Sequence, residues 1–170
     1  MEVVHYPDPV LRRGGKPIER FDPELTATAE QMLATMYAAG GVGLAAPQVG
    51  LELDLLVLNP SGDATDRKDE MVLVNPRILA RKRLEYGQEG CLSFPGVYAE
   101  VERAKQIVLA YQDLSGKTLE VRSSEFIARI IQHEFDHLQG VLFVDRLSPT
   151  DRIRLRTSLE RMEERFRARA

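Results

Sequence analysis

The sequence predicts an α+β fold in which antiparallel strands fill the middle of the chain and helices frame them. Apolar residues recur at helical spacing in three segments, which begin near residues 23, 125 and 149. Runs of strand-forming residues separated by turn residues lie between the first two segments. No helical crossover separates consecutive strands, so antiparallel pairing is expected. At 170 residues, the chain is most simply one domain over residues 1–170.

The first helix is predicted to begin at Pro23. Asp22 can cap it, proline suits the first helical position, and Glu24 places an acid in the first turn. Gly40 and Gly41 end it. Its apolar positions are Leu25, Ala29, Met32, Leu33, Met36 and Ala39. The residues before it are rich in proline and glycine and are expected to form an irregular arm.

Five strands are predicted from short runs of apolar, β-branched and aromatic residues. They span residues 51–58, 71–74, 78–86, 101–111 and 118–122. A glycine-rich segment, residues 41–50, precedes them. It is either a turn-rich connector or a place where the backbone comes close to another group, because glycine leaves room there. Its glycine spacing does not match a dinucleotide-binding loop.

The central helix is predicted to begin at a cap within residues 123–124 and to end at Gly140. Its residues are projected at about 100° per step. One arc then holds the polar residues Arg129, Gln132, Asp136 and Gln139. His133, Glu134 and His137 fall in the apolar remainder, which faces the protein interior. A buried glutamate is unfavourable unless it is paired or bound to a ligand, so this position favours a functional role.

Two of the three histidines lie four residues apart, at His133 and His137. Such residues share one face of a helix, so they can bind one metal ion, and Glu134 can reach a water bound to it. The alternative is a helix with two unrelated polar rings. Cys91, the only cysteine, supplies a third ligand, although a lone cysteine is more often buried packing. Three protein ligands and an open fourth position are typical of a catalytic site.

Such a site predicts hydrolysis of an amide. The metal polarises a carbonyl and acidifies its water, while Glu134 accepts a proton and later donates it to the leaving amine. The side-chain amide of Gln48 and a backbone N–H near Leu92 are candidate donors to the oxyanion that develops. The thiolate of Cys91 is a softer ligand than imidazole, so the site admits iron as well as zinc.

The last helix is predicted over about residues 149–168, with Ser148 as its cap. Seven arginines and four acidic residues lie between Asp151 and Ala170. A solvated helix docked by one apolar stripe is the simplest interpretation. A weak contact with an anionic partner such as ribosomal RNA is the alternative.

Charge and hydropathy argue against several classes of protein. A net charge of −3 disfavours DNA binding through bulk charge. No run reaches the roughly 18 apolar residues that span a membrane, and the N-terminus lacks a secretory signal pattern. One cysteine permits no internal disulfide, so the cytoplasm is the expected location, with an organelle stroma or matrix as the alternative.

Three stretches resemble a known family: GVGLAAPQ at 41–48, EGCLS at 89–93 and QHEFDH at 132–137. In order and spacing they are similar to the three signature motifs of peptide deformylases, and the similarity extends from Tyr6 to about Arg146. The segment 94–100 resembles the cyanobacterial and plastid branch of that family. There Tyr98 occupies a position near the pocket mouth that is arginine in many bacterial members.

The resemblance implies removal of the N-formyl group from the initiator methionine of nascent peptides. The implied fold has antiparallel sheets wrapped around the motif helix. The implied cofactor is one Fe²⁺ ion per chain, which Zn²⁺ or Ni²⁺ often replaces in purified protein. The implied site residues are the metal ligands Cys91, His133 and His137, the catalytic Glu134, the oxyanion donors Gln48 and the Leu92 amide, and the peptide-binding edges Val42 and Gly43 opposite Gly87 and Glu89.

The residues agree with such a substrate. Val42, Phe126 and Ile130 can line an apolar slot for a methionine side chain, and an open strand edge can bind an extended peptide. Asp136 is predicted to pair with Arg103 and fix the helix against a strand. Two alternatives stay open, a zinc endopeptidase that shares the His-Glu-x-x-His motif and a non-catalytic metal-binding homologue. The endopeptidase is disfavoured because its third ligand is normally a downstream histidine or glutamate.

Overall fold

The structure, a computed structural model, describes all 170 residues. Its elements are α1 (Pro23–Ala38), β1 (Gly43–Ala45), β2 (Leu55–Leu58), β3 (Met71–Cys91), β4 (Phe94–Gln112), β5 (Thr118–Ser124), α2 (Glu125–Leu138) and α3 (Pro149–Arg169). The strands form one antiparallel sheet in the order β1-β2-β3-β4-β5. Helix α2 packs against four of the five strands, β1, β2, β4 and β5. The predicted α+β class, with strands around a central helix, is confirmed.

Helix α1 forms as the sequence predicts. The side chain of Asp22 caps it by accepting a hydrogen bond from the N–H of Leu25 at 3.0 Å, and Pro23 takes the first helical position. The apolar face is buried against β1 and β2 through Leu25, Ala29, Met32, Leu33 and Met36. Ala39 lies beyond the last helical residue and is exposed, so it is not part of this face.

Strand β3 is continuous, so the prediction of separate strands at 71–74 and 78–86 is wrong. The register of the β3–β4 pair shifts directly after Val74 without ending the pairing. Asn75 adopts a φ of 49° at this irregularity, and asparagine tolerates that conformation better than most residues. Pro76 has no N–H to donate, and a bulge is one of the places where a sheet accommodates it.

The glycine-rich segment 41–50 contains a strand that the sequence did not reveal. β1 pairs with β2, and a single 3-10 turn over Ala46–Val49 follows it. β2 begins at Leu55, four residues later than predicted. The preceding residues instead contact the N-terminal arm, where Leu53 forms an isolated bridge with Lys16.

Helix α2 is buried on nearly all sides, including its polar arc. The side chain of Gln132 bonds to the N–H and C=O of Ala104 on β4, at 3.0 and 2.8 Å. Asp136 accepts a hydrogen bond from Nη1 of Arg103, also on β4, at 2.6 Å, so the predicted pair is confirmed. One face of α2 is thereby fixed to β4 through polar contacts. The three motif residues on another face are buried as well, as predicted.

Helix α3 docks beside the N-terminal arm. Leu155 is buried in an apolar cluster with Phe94 and Phe143, and the hydroxyl of Tyr6 donates a hydrogen bond to Glu163 at 2.6 Å. The helix ends one residue beyond its predicted range. None of the helices combines the length and apolar character that a membrane crossing requires.

Asp54 is expected to make stability depend on pH. One of its oxygens is buried without a hydrogen-bond partner, and burial raises its pKa from 3.8 to about 6. The folded state therefore favours the protonated acid, so this contribution to stability is present below about pH 4 and is lost as the pH rises through 6. Asp54→Asn should raise the free energy of unfolding by about 1 kcal/mol at pH 7.5. This value is smaller than the pKa difference alone would give, because solvent screens the charge of Asp54.

Urea unfolding at pH 7.5 and pH 5 measures this effect, and the gain should be smaller at the lower pH. Asp69→Asn, in the exposed loop before β3, is the control. A gain of equal size at both pH values would contradict the assignment of the effect to the Asp54 carboxyl.

Candidate active site

Three side chains of types that can bind a metal ion meet where β3 ends against α2. The Sγ atom of Cys91 and one ring nitrogen each of His133 and His137 lie within 4.8 Å of one another. Sγ is 3.4 Å from Nε2 of His137, and the two imidazole centroids are 5.2 Å apart. Cys91 is the last residue of β3, whereas the histidines are one turn apart on α2. The strand and the helix together therefore set the geometry of the cluster.

Glu89 orients the ring of His133 from the side away from the cluster. Its Oε1 lies 2.8 Å from Nδ1 of His133, which leaves Nε2 available as a ligand atom. Arg103 contacts both carboxylate oxygens, at 2.9 and 3.0 Å, and Arg129 contacts Oε2 at 2.8 Å. Burial opposes ionisation of Glu89, but the bonds from His133 and Arg103 outweigh it and lower the pKa to about 2. Glu89 is therefore an ionised carboxylate inside the protein.

The donor set of the cluster fits a divalent metal ion. One thiolate and two imidazoles are ligands that zinc and iron accept, and catalytic sites use three protein ligands. Burial and the charges of His133 and Arg103 lower the pKa of His137 well below its usual value. That imidazole is thus held in the neutral form that binds a metal. Cys91, His133 and His137 form a candidate metal site.

Glu134 presents an unused carboxyl oxygen beside this cluster. Its Oε2 is buried and has no hydrogen-bond partner, an arrangement that calls for a ligand, an ion or a functional role. Burial raises the pKa of Glu134 to about 7. A Cβ atom at Gly43 would lie only 2.8 Å from Oε1 of Glu134. The close backbone approach expected of the glycine-rich segment is thus confirmed at Gly43.

A cavity of about 220 Å³ adjoins the cluster. Its lining includes residues 41–43 at the start of the glycine-rich segment, Leu92 and Tyr98, together with His133 and Glu134 of α2. The backbone N–H of Leu92 makes no hydrogen bond within the protein. That N–H is free to bind an oxyanion, as the sequence-based hypothesis requires.

Gln48 lies next to the cluster in a fixed orientation. Its Oε1 accepts a hydrogen bond from the N–H of Ala45 at 2.9 Å. Its amide nitrogen therefore faces the other way, 3.4 Å from Sγ of Cys91 and 3.2 Å from Oγ of Ser93. The donor group of Gln48 thus points towards Cys91, a candidate metal ligand, as the oxyanion hypothesis requires.

The residues predicted to bind substrate do not all border the cavity. Val42 and Gly43 line it. Ile130 is buried directly behind Gly43, with its Cγ2 2.8 Å from the place where a Cβ would be. Phe126 is 53% exposed and lies outside the cavity lining. Gly87 is on β3, where the guanidinium of Arg129 from α2 covers it.

Sequence reasoning missed the actual environment of two residues. The side chain of Glu89, expected at a peptide-binding edge, is turned inward to His133. Alternate residues of a strand share a face, so the two-residue spacing of Glu89 and Cys91 could have revealed this. Arg129 was placed only on a polar arc, although it bonds to Glu89. Its partners lie on distant strands, and no local pattern in the sequence identifies them.

Comparison with known proteins decides the family. The family model for polypeptide deformylase matches residues 1–153. The chain belongs to the polypeptide deformylase family. A chloroplastic peptide deformylase of Oryza sativa subsp. japonica is 44% identical over 98% of this chain and 62% of its own length. A peptide deformylase of Thermotoga sp. (strain RQ2) is 44% identical over 89% of this chain and 90% of its own.

Solved structures of the family agree with this fold. The crystal structure of a plant peptide deformylase is 42% identical and matches with a TM-score of 0.98, covering 100% of this chain and 92% of that one. This chain spans less than two thirds of the full-length rice relative, but most of the bacterial one.

Replacement of Arg103 should strongly destabilise the fold. Arg103 lies between the buried carboxylates of Glu89 and Asp136. Arg103→Met would leave these negative charges without their shared partner, and removal of one member of a buried ion pair lowers stability by about 3–5 kcal/mol. Urea unfolding at pH 7 measures the loss.

The matched control is Arg12→Met. Arg12 pairs with Asp145 at the surface, where the two side chains are 47% and 37% exposed, so a loss below about 1 kcal/mol is expected. Similar losses of unfolding free energy in the two variants would show that the loss does not depend on burial of the Arg103 ion pairs.

Proposed function

We propose that this protein is a metal-dependent peptide deformylase, which removes the N-formyl group from the N-terminal methionine of nascent polypeptides and releases formate. The observation that carries the proposal is the unpartnered buried oxygen of Glu134 beside the Cys91, His133 and His137 cluster. Membership of the polypeptide deformylase family supports the choice of substrate, and so does the similarity to bacterial relatives along most of their length.

The size and surroundings of the cavity support a small acyl group as the reacting part. Its volume of about 220 Å³ lies below the roughly 300–1,000 Å³ of typical drug-sized pockets.

The edge of β3 near Gly87 is open. β3 pairs with β2 only through Met71–Val74, so no strand covers its edge near Gly87. An extended peptide can pair with such an edge whatever its sequence. We infer that the peptide passes between Val42 and Gly43 on one side and the backbone of Gly87 and Glu89 on the other.

The methionine side chain requires an apolar environment next to the formyl group. Val42 lines the cavity, Ile130 packs in the same apolar cluster as Val42, and Phe126 lies one helical turn before Ile130. The exposure of Phe126 fits a residue that is covered only when a substrate side chain binds. We therefore assign these three residues to the methionine slot.

The proposed reaction is hydrolysis of a formamide. A metal ion bound by Cys91, His133 and His137 would supply Lewis acidity to the formyl carbonyl and to water. Glu134 accepts a proton from the attacking water and delivers it to the peptide nitrogen as the C–N bond breaks. The hydroxyl of the water joins the formyl carbon, so the products are formate and a free amino terminus. The N–H of Leu92 and the amide of Gln48 stabilise negative charge on the formyl oxygen.

We infer that the working metal is one Fe²⁺ ion per chain, with Zn²⁺ or Ni²⁺ as substitutes in purified protein. The thiolate of Cys91 supports this choice because a soft sulfur ligand extends the range of metals beyond zinc. The resemblance of the three motifs to those of iron-dependent deformylases supports it further.

The wider cellular role is also a proposal. Exposed arginines at the end of α3, among them Arg161, Arg165 and Arg169, support a weak contact with ribosomal RNA. The dependence on a free thiolate at Cys91 supports a reducing compartment, either the cytoplasm or an organelle. We treat residues 1–170 as one deformylase domain.

The two alternatives are distinguished by their products. A zinc endopeptidase would cleave an internal peptide bond of formyl-Met-Ala-Ser without releasing formate. A non-catalytic homologue would bind metal and release neither product. Formate release from this peptide, with no internal cleavage, is the outcome expected of a deformylase.

Glu134→Gln should lower formate release by at least about 10²-fold, because the variant cannot accept or donate the proton. The metal content per chain should stay at the wild-type level, since Glu134 is not a ligand. Formate release from formyl-Met-Ala-Ser and elemental analysis of the same preparation measure both quantities. Glu164→Gln, exposed on α3, is the control, and unchanged turnover in Glu134→Gln would refute the assigned role.

Ferrous enzyme prepared without oxygen should release formate clearly faster than the zinc form of the same chain. Mild oxidation should inactivate the protein, because only the thiolate form of Cys91 binds the metal. Parallel measurements of metal content and initial rate test both statements. An iron form that is equal to or slower than the zinc form would contradict the choice of metal.

A further inference from the structure

The guanidinium of Arg129 lies directly on the backbone of β3 at Gly87. A Cβ atom at Gly87 would be 2.8 Å from Cζ and 2.9 Å from Nε and Nη2 of Arg129. Real Cβ atoms do not approach so closely, so a side chain at residue 87 would require the guanidinium to shift from this position. Arg129 is on α2, one helical turn before His133. Its side chain therefore reaches from the metal-binding helix to the strand that leads into the cavity.

Arg129 binds both strands of the β3–β4 pair. Its Nη2 donates to the carbonyl of Glu85 on β3 at 3.0 Å, and its Nη1 donates to the carbonyl of Val101 on β4 at 2.8 Å. Nη1 also contacts Oε2 of Glu89 at 2.8 Å. The side chain is only 12% exposed. A planar guanidinium can satisfy several acceptors in fixed directions, which the single ammonium of lysine cannot do.

Glu89 extends this connection to the metal site. The carboxylate that accepts from Arg129 also contacts Nδ1 of His133. Beyond residue 74, β3 pairs only with β4, so no neighbouring strand on its other edge holds the segment 85–89. Pairing with β4 holds one edge of this segment, and Arg129 and Glu89 connect the segment directly to α2.

We propose that Arg129 is a positioning residue, which fixes the open edge of β3 near Gly87 at one distance from His133 and the cavity. The inference rests on the proposed function, because it assumes that an extended peptide binds along this edge. Arg129 touches no reacting atom in this assignment. It holds the strand that receives the peptide backbone, so it affects how well a peptide is bound, and affects the chemical step little.

The test compares Arg129→Ala with wild-type protein on two substrates, formyl-Met-Ala-Ser and formyl-methionine. Only the tripeptide extends along β3. Its KM should rise about tenfold, a typical effect of losing a supporting contact, whereas kcat for the tripeptide and KM for formyl-methionine should change little. Backbone amides in residues 84–90 should exchange with deuterium faster in the variant, and metal content should not change. An equal loss on the two substrates, or unchanged exchange, would overturn the proposal.

A second variant tests the same contact from the strand. Gly87→Ala should raise the tripeptide KM in wild-type protein, because the new methyl group displaces the guanidinium. In the Arg129→Ala background the same substitution should have little further effect. Additive effects of the two substitutions would contradict the proposal. If Arg129→Ala folds poorly, Gly87→Ala alone still tests the contact, because it retains Arg129 and its charge. Amides in residues 84–90 should then exchange faster than in wild-type protein, and unchanged exchange would overturn the proposal.

Two further variants separate geometry from charge. Arg129→Lys keeps the positive charge next to Glu89 but not the bonds to Glu85 and Val101, so it should retain most of the defect. Full rescue by lysine would contradict a role for the planar group. Arg122→Ala, exposed on β5, is the matched control. Wild-type protein that releases no formate from either substrate would refute the proposed function itself, and faster exchange in Arg129→Ala would still support the positioning contact.

Discussion

The carboxylate of Glu89 is the group on which the rest of the site depends. It contacts His133, Arg103 and Arg129 simultaneously while buried. A lone carboxylate would be unfavourable in that environment, and two arginines offset its desolvation with charge-assisted hydrogen bonds. Each arginine comes from a different element, so the carboxylate joins β3, β4 and α2 at one point. The ring of His133, a candidate metal ligand, is therefore oriented by the same contacts that hold the sheet to the helix.

This arrangement explains how α2 can be amphipathic in sequence and yet buried nearly all round. A helix in the centre of a domain is usually apolar on every side. Here the polar face meets β4, which supplies complementary groups through Arg103 and the backbone of Ala104. Arg146 adds a second cation to Asp136 from the chain after α2. Because its polar residues are hydrogen-bonded in this way, the helix can carry the candidate metal ligands His133 and His137 on another buried face.

The sequence predicts the members of the candidate site better than the contacts that surround them. His133, His137 and Glu134 are identified by helical spacing, which is a local property, and Cys91 by its chemical type. The pairing of Asp136 with Arg103 was also predicted. The inward turn of Glu89 was not, because it depends on which arginines the distant segments bring near. The continuity of β3 past residue 75 was missed for a related reason: a bulge held by tertiary contacts overrides the local signal of a break.

Two glycines allow β1 and β3 to lie in close contact with side chains of α2. At Gly43 the absence of a side chain lets β1 approach Oε1 of Glu134, and at Gly87 it lets Arg129 lie on β3. In each case the partner is a charged or ionisable side chain of α2, and in each case a methyl group would occupy its place. Both strands that border the proposed peptide path therefore contact side chains of the helix that carries His133 and His137. A larger residue at either glycine would push against that helix, so it would disturb the peptide path and the surroundings of the two histidines together.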